Sequence, residues 1–203
     1  MSKRQSAKYK IDRRMGENIW GRPKSPVNQR SYGPGQHGQR RRQKISDFGL
    51  QLRAKQKLKG YYGNLTEKQF AGTYKDAAKK RGNTAEFLIG LLESRLDAIV
   101  YRAKFVPTVF ASRQFVNHGH VLVNGKRVTI PSYRVRQGEV VTLKPSSREL
   151  FHVRRNMDTL DRQLPPWLEA VGDRFEVRVF SLPLREHIDE PVQEQLIVEL
   201  YSK

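Results

Sequence analysis

The stretch "VNHGHVLVNGKRV", residues 116–128, decides how the second half of this chain folds. Two histidines flank Gly119, and Val121 and Val123 then alternate toward Asn124-Gly125. Val128 and Ile130 resume the alternation after Lys126-Arg127. Asn-Gly between two alternating apolar runs is the strongest short-range signal for a two-residue hairpin, so the pattern predicts one with two cations at its tip. His118 and His120 raise a choice. Zinc needs a full set of ligands, and His37, His152 and His187 stand in dissimilar contexts, so no metal is expected. The other reading of His118 is a residue closing a helix, where the dipole favours a cation.

That helix lies just upstream. "PTVFASRQFVNHG" (107–119) begins at Pro107-Thr108 and ends at Gly119, with Val109, Phe110 and Phe115 or Val116 inward. Arg113, Gln114 and His118 then share a polar side. Downstream, "GEVVTLK" (138–144) reads as a strand with Val140 and Val141 buried, and "RFEVRVF" (174–180) as a half-exposed strand with Phe175, Val177 and Val179 inward. Tyr133 could stack on a ligand or close the core, and the core is favoured. Trp167 reads as packing.

Helical periods precede this region. "SDFGLQLRAKQKLKG" (46–60) carries Phe48, Leu52 and Leu58 on an apolar stripe, with Ser46 or Asp47 as cap. In "TEKQFAGTYKDAAKKRG" (66–82), Thr66 and Gln69 form a capping box and Phe70, Tyr74 and Ala77 or Ala78 face inward. Thr84 is the expected cap of "AEFLIGLLESRLDAIVYRA" (85–103), with a break expected near Glu93 or Ser94.

The chain has 203 residues, 39 Lys and Arg against 20 Asp and Glu, and a formal net charge of +19. Such an excess calls for a polyanionic partner, nucleic acid before membrane. The absence of cysteine excludes disulfides, thiolate catalysis and Cys-ligated zinc. No apolar run is long enough to span a bilayer, and "MSKRQSAKYKIDRR" lacks a signal-peptide core. A soluble cytoplasmic protein is the expectation.

Charge is concentrated at the start: residues 1–60 hold 17 Lys and Arg against three acids, Asp12, Glu17 and Asp47. Residues 1–44 read as an extended basic segment, because Pro23, Pro26, Pro34 and interspersed glycines leave no period over 21–44. One reading is a solvated tail; the other is an RNA-binding segment. Trp20, Tyr32 and His37 favour the second, since rings among cations can stack on bases or riboses. Gly33, Gly35 and Gly38 would let backbone approach phosphate. The candidate contacts are Lys3, Arg4, Lys8, Lys10, Arg13, Arg14, Arg22, Arg30, Tyr32, Gly33, Gly35, His37, Arg40, Arg41, Arg42 and Lys44, continued on the next helix by Arg53, Lys55 and Lys57.

Residues 91–143, "LLESRLDAIVYRAKFVPTVFASRQFVNHGHVLVNGKRVTIPSYRVRQGEVVTL", resemble the RNA-binding module named after small-subunit ribosomal protein S-four. Pseudouridine synthases, tyrosyl-transfer-RNA synthetases and a heat-shock RNA binder carry that module too, so the flanks decide. "YGPGQHGQRRRQKISDFGLQLRAKQKLKGYYG", "NTAEFLIGLLESRLD", "PPWLEA" and "IVELYSK" each resemble the ribosomal S-four family in its bacterial or organellar form. Many relatives hold zinc through N-terminal cysteines, and here there are none.

The resemblance implies an α+β protein. A mostly helical domain spans 45–90, completed by 181–203. A second domain, 91–180, contains the module at about 91–155, with helices packed on a small antiparallel sheet. It also implies a structural component of the small subunit that binds the 5′ domain of its ribosomal RNA at a helix junction and nucleates assembly. With small-subunit protein S-five it would affect decoding accuracy, near the messenger RNA entry channel. Its place would be the cytoplasmic ribosome, or an organellar matrix for an organelle-encoded form. Within the module the candidate RNA contacts are Arg95, Arg102, Lys104, Arg113, Gln114, His118, His120, Asn124, Lys126, Arg127 and Arg134. Arginine suits phosphate, and Gln and Asn suit ribose or base edges. Two have bland alternatives: Arg95 could pair internally with Glu93 or Asp97, and Asn124 could serve only its turn.

No Ser/His/Asp set, phosphate-binding Gly-Lys loop or paired carboxylates stand out, so neither enzyme activity nor cofactor is expected. The alternatives are an RNA-modifying enzyme or a free RNA-binding quality-control factor built on the same module. The acidic residues Glu186, Asp189, Glu190 and Glu194 cannot favour phosphate; they are expected to pack on the basic N-terminal domain or face a protein neighbour.

Overall fold

The computed structural model describes residues 8–40, 44–159, 162–188 and 193–202. In chain order they form α1 (Lys8–Met15), α2 (Asp47–Tyr61), α3 (Glu67–Ala78), α4 (Thr84–Glu93), α5 (Leu96–Arg102), α6 (Val109–Asn117), β1 (Val121–Val123), β2 (Lys126–Arg127), β3 (Val140–Leu143), α7 (Pro145–Arg148), α8 (Phe151–Thr159), β4 (Leu168–Ala170), β5 (Glu176–Val179) and α9 (Glu194–Ser202). Single 3-10 turns occupy Pro26–Asn28 and Arg185–His187. No described helix is long and apolar enough to cross a membrane. The chain divides into two compact units, Met1–Gly72 with Pro191–Lys203, and Thr73–Glu190.

Helix starts follow local hydrogen bonding. Ser46 Oγ accepts from the Gly49 amide at 3.3 Å to start α2. Before α3, Thr66 Oγ1 accepts from the Gln69 amide (3.3 Å) while Gln69 Oε1 accepts from the Thr66 amide (3.4 Å), the reciprocal capping box. At α4 the cap is Asn83, not Thr84: Asn83 is extended, and its Oδ1 reaches the Ala85 amide at 3.0 Å. The apolar run 85–103 breaks after Glu93, because residues 94–97 turn to another strand of chain. Leu96 donates to the Tyr133 carbonyl (2.8 Å), Asp97 to Pro131 (3.1 Å), and Val135 returns a bond to Ser94 (2.8 Å).

In the first unit α9 packs along α2. Gln51 Nε2 donates to Glu199 at 3.1 Å, and Tyr201 donates its hydroxyl proton to Glu67 at 2.7 Å while its ring stacks on Phe70. Of the apolar stripe expected on α2, Leu58 is buried and Leu52 half-buried. Gln51, Leu58, Lys59 and Gly60 are its buried residues, whereas Phe48 in the first turn is 57% exposed. The N-terminal segment is not extended throughout, since α1 lies within it. Ile11 is buried beside Gly60, and the buried Asp12 accepts from Ser25 Oγ at 2.6 Å. Those anchors supply what a short helix lacks in water.

The second unit is built on an antiparallel sheet of order β2-β1-β3-β5-β4. Asn124 (φ 49°) and Gly125 (φ 77°) make the two-residue turn between β1 and β2, in which Val123 pairs with Lys126. Val121, Val123, Val141, Leu143, Val177 and Val179 point to one face and bury against Leu96, Ile99 and Val100 of α5 and Phe115 and Val116 of α6. Val140, expected inside, is only half-buried, because the period of two sends it to the opposite face from Val141. Trp167 is 1% exposed in this core, and Tyr133 packs against it while donating to Glu139 at 3.0 Å.

Replacing Trp167 with Ala should cost about 3–5 kcal/mol in urea unfolding, since a large cavity opens in the sheet's core. A pH-dependent effect is expected at Glu67. Burial opposes its ionisation, but Lys59, Lys55 and Tyr201 hydrogen bonds outweigh that and lower its pKa from 4.5 to about 2. A depressed folded pKa means stability that is full above pH 4.5 and lost as pH falls toward 2. Thermal unfolding of Glu67→Gln should therefore show a flatter pH profile across that window than the unaltered protein.

Candidate nucleic-acid interface

The cations fall into two groups, those paired with an acid or spent on loop carbonyls of the same unit and those with no acid partner among the described residues. Arg95 belongs to the first. It is 5% exposed, and its Nε and Nη2 grip both oxygens of Asp97 at 2.9 and 2.7 Å. Asp97, itself buried, also receives Arg113 at 3.4 Å from α6. Arg102 grips both oxygens of the buried Glu93 at 3.1 and 2.6 Å, and Arg134 donates to Asp76 at 2.8 Å. Asp76 is held below the usual carboxylate range by that hydrogen bond and by the charge of Arg134, which outweigh desolvation, with Lys79 adding a lesser pull in the same direction.

Asn124 is likewise occupied: its Oδ1 accepts from the Val140 amide at 2.9 Å while its own amide donates to the Val140 carbonyl at 2.8 Å. It pins the hairpin to β3. Lys104 turns the chain after α5 with φ 65° and is half-exposed.

Gln114, His118, Lys126 and Arg127 are exposed. His118 and Arg127 meet where α6 ends beside the β1–β2 turn, while Gln114 lies one turn back on α6 and Lys126 follows the turn in β2. His118 is the C-cap of α6, and Arg127 Nη2 donates to its carbonyl at 3.5 Å. The guanidinium lies so close over Gly119 that a Cβ there would stand 2.1 Å from Nε. Gly119, at φ 75°, thus both ends the helix and makes room for the cation. His120 stacks on Phe115 with ring centroids 4.5 Å apart, and its Nδ1 is 2.9 Å from Ser147 Oγ. Its pKa is pushed down by burial first and then by the positive charges of His118, Lys144, Arg127 and His152. Lys144, which no motif in the sequence singles out, belongs to the same cluster: it is exposed and its backbone amide donates to the His120 carbonyl at 2.9 Å. Its signal was its place directly after the strand that pairs with Val121.

In the first unit, Lys10, Arg14, Arg30, Arg40, Lys44 and Arg53 are exposed and have no ion-pair partner among the described residues. Arg13 instead holds the loop, donating to the Tyr32 and Gly33 carbonyls at 3.3 and 2.7 Å with its guanidinium 4.9 Å from the Tyr32 ring. Arg22 lies over Trp20 at 5.4 Å. Gly33 faces Gly38, where a Cβ would stand 1.9 Å from the Gly33 carbonyl oxygen; Gly35 and His37 form the turn between them. Lys55 pairs with Glu67 at 2.9 Å and Lys57 with Glu17. Lys8 opens α1, and Lys3, Arg4, Arg41 and Arg42 lie outside the described residues. So do Asp189 and Glu190 of the acidic tail, while Glu186 lies exposed in the Arg185–His187 turn and Glu194 opens α9. Among the described residues no group of three or more His, Cys, Asp or Glu could hold a metal.

A helical unit, a second unit of helices packed on a small antiparallel sheet, and a basic rim at its hairpin define the class: a ribosomal-type RNA-binding protein with an S4 domain. The family models agree. The Ribosomal protein S4/S9 N-terminal domain matches residues 3–93 and the S4 domain residues 94–141. The chain is 64% identical over 204 residues to small ribosomal subunit protein uS4 of Caulobacter sp. (strain K31), and 62% to that of Phenylobacterium zucineum (strain HLK1). It is 62% identical over 205 residues to that of Jannaschia sp. (strain CCS1), and each match covers 100% of both chains. The chain belongs to the small ribosomal subunit protein uS4 family, and is a structural protein of the ribosome rather than an enzyme.

The two groups of cations should separate experimentally. Arg95→Ala leaves Asp97 buried without its main partner and should cost about 3–5 kcal/mol of stability in urea unfolding. Lys126→Ala, at an exposed site, should stay within about 0.5 kcal/mol.

Proposed function

We propose that the protein anchors folded small-subunit ribosomal RNA through the hairpin tip, the end of α6 and the basic residues of its first unit. The observation carrying this reading is the division of the module's cations. Arg95, Arg102, Arg113 and Arg134 are matched by acids, while Arg127 and Lys144 lie beside His118 and His120, and Lys126 at the hairpin tip, without an ion pair among the described residues. Unmatched cations on a rigid sheet and helix carry a standing cost that a phosphate backbone relieves, with counterion release as the driving force. Gln114 and His118 add polar groups suited to ribose hydroxyls.

On this reading Lys3, Arg4, Lys8, Lys10, Arg14, Arg30, Arg40, Arg41, Arg42, Lys44 and Arg53 supply the first unit's phosphate contacts, and Arg13, Arg22 and Tyr32 shape the loop presenting them. The target is a helix junction in the 5′ domain of the small-subunit RNA, bound early, so that the protein nucleates assembly. Its protein neighbour is small-subunit protein S-five, with which it affects decoding accuracy near the path of messenger RNA. The setting is the cytoplasmic ribosome.

Binding of a 5′-domain transcript and of a scrambled structured RNA over a salt series tests this. The transcript should keep an excess affinity at physiological salt. Lys126→Ala and Arg127→Ala should each reduce the slope of log K against log salt by about one. Deletion of residues 1–44 should weaken binding and flatten the slope further. Equal binding of both RNAs would leave only a general polyanion binder.

A further inference from the structure

Beyond the residues matched by the S4 domain, α7 and α8 carry a surface that the hairpin does not account for. In α8, Val153 is buried in the core and Asn156 donates to the Phe105 carbonyl at 3.4 Å, so these two define the inner face. The outer face presents Phe151, His152, Arg154 and Arg155, all exposed. Phe151 is 75% exposed, the most of any large apolar residue described, and makes no ring or cation contact among the described residues. Leaving so much aromatic area in water forfeits burial free energy, which a partner would recover.

The charges around that ring indicate which partner. Asp158 is matched by Arg174 at 2.8 Å, and Asp173 and Glu176 by Arg148 at 2.9 and 3.0 Å. Between residues 144 and 155, Glu149 is the one acid, against Lys144, Arg148, Arg154 and Arg155, with His152 adding a titratable ring. Arg154 Nε is steadied by the Arg148 carbonyl at 3.4 Å. The surface adjoins the hairpin cluster, because Lys144 and Ser147 both hydrogen-bond to His120. An apolar protein partner would have to desolvate these cations without compensation. RNA supplies phosphates for them and a base face for the ring.

We propose that α8 and the turn before it form a second RNA contact, with Phe151 as a stacking platform for an unpaired base and Lys144, His152, Arg154 and Arg155 as its phosphate-facing groups. A phenyl ring has no polar handle, so the platform accepts any base, provided that base is out of a duplex, in a loop, bulge or strand end. The inference rests on the RNA-anchoring reading and adds a single-stranded element to its target.

The test uses the full-length protein with two probes, the 5′-domain transcript and a perfect RNA duplex. Phe151→Ala and Phe151→Leu should both weaken transcript binding by about fivefold to a hundredfold, the range for loss of one stacked base, with no change on the duplex and no change in salt slope. Phe151→Trp should retain affinity and report the base by quenched indole fluorescence. Arg155→Ala should lower the slope by about one. If Phe151→Ala binds the transcript as well as the unaltered protein, while Lys126→Ala and Arg127→Ala lose affinity, the platform is overturned and the anchoring reading survives. Full affinity in Phe151→Leu would also overturn stacking, since apolar area without a ring would suffice. If the hairpin variants lose nothing either, the anchoring reading itself fails.

Discussion

A buried carboxylate organises the RNA-binding module. Asp97 lies in the first turn of α5, removed from water, and a carboxylate there must be matched or neutralised. Arg95 matches it with a two-pronged grip, and Arg113 brings a second guanidinium from α6. The backbone around it is equally committed: Ser94, Leu96 and Asp97 bond to Val135, Tyr133 and Pro131. That knot forces the long apolar run to break into α4 and α5, places α5 against the sheet, and holds α6 so that its C-terminal end meets the hairpin. Truncating one member would leave a buried charge behind, which makes the knot costly to break even though such pairs add little net stability when whole.

The same interaction explains why a strongly basic protein shows its ligand only part of its charge. Arg95, Arg102 and Arg134 are absorbed by Asp97, Glu93 and Asp76, so much of the module's formal charge is structural. What remains outward is arranged on short, stiff elements. Arg127 is set by its contact with Gly119 and the His118 carbonyl, and Lys144 by the register of β3 beside β1. Rigid cations lose little freedom on meeting phosphate, so shape can contribute to selection alongside counterion release.

The first unit uses a related device. Glu67 gathers Lys55, Lys59 and the hydroxyl of Tyr201, joining α2, the start of α3 and α9 in one cluster. Arg13 does for the glycine-containing loop what Arg95 does for the module, spending its donors on the Tyr32 and Gly33 carbonyls. Helix α9 lies on α2 and brings Glu199 to Gln51.

Local features were legible in the sequence because their causes are local. The Asn124-Gly125 turn needs two positive φ values in succession, the capping box at Thr66 and Gln69 closes within one turn, and Thr108 caps α6 with its own hydroxyl. The motifs across 91–143 and their flanks likewise carried the family resemblance, since they lie along the chain in order. The partner each charge takes was not legible, because ion pairs such as Arg134 with Asp76 or Lys55 with Glu67, and the seat of Lys55 over the Tyr201 ring, join residues whose separation in sequence says nothing of their separation in space. The exposure of Phe48 and Phe151 was hidden for the same reason: a helix has an apolar side by composition, but the face it buries is chosen by what packs on it. The sequence alone therefore determined the turns, caps, overall charge and kind of protein, which depend on neighbours a few residues apart. Only the tertiary structure decided which cations are matched by an acid and which are not, because that depends on which acids the folded chain brings within a few ångströms of them.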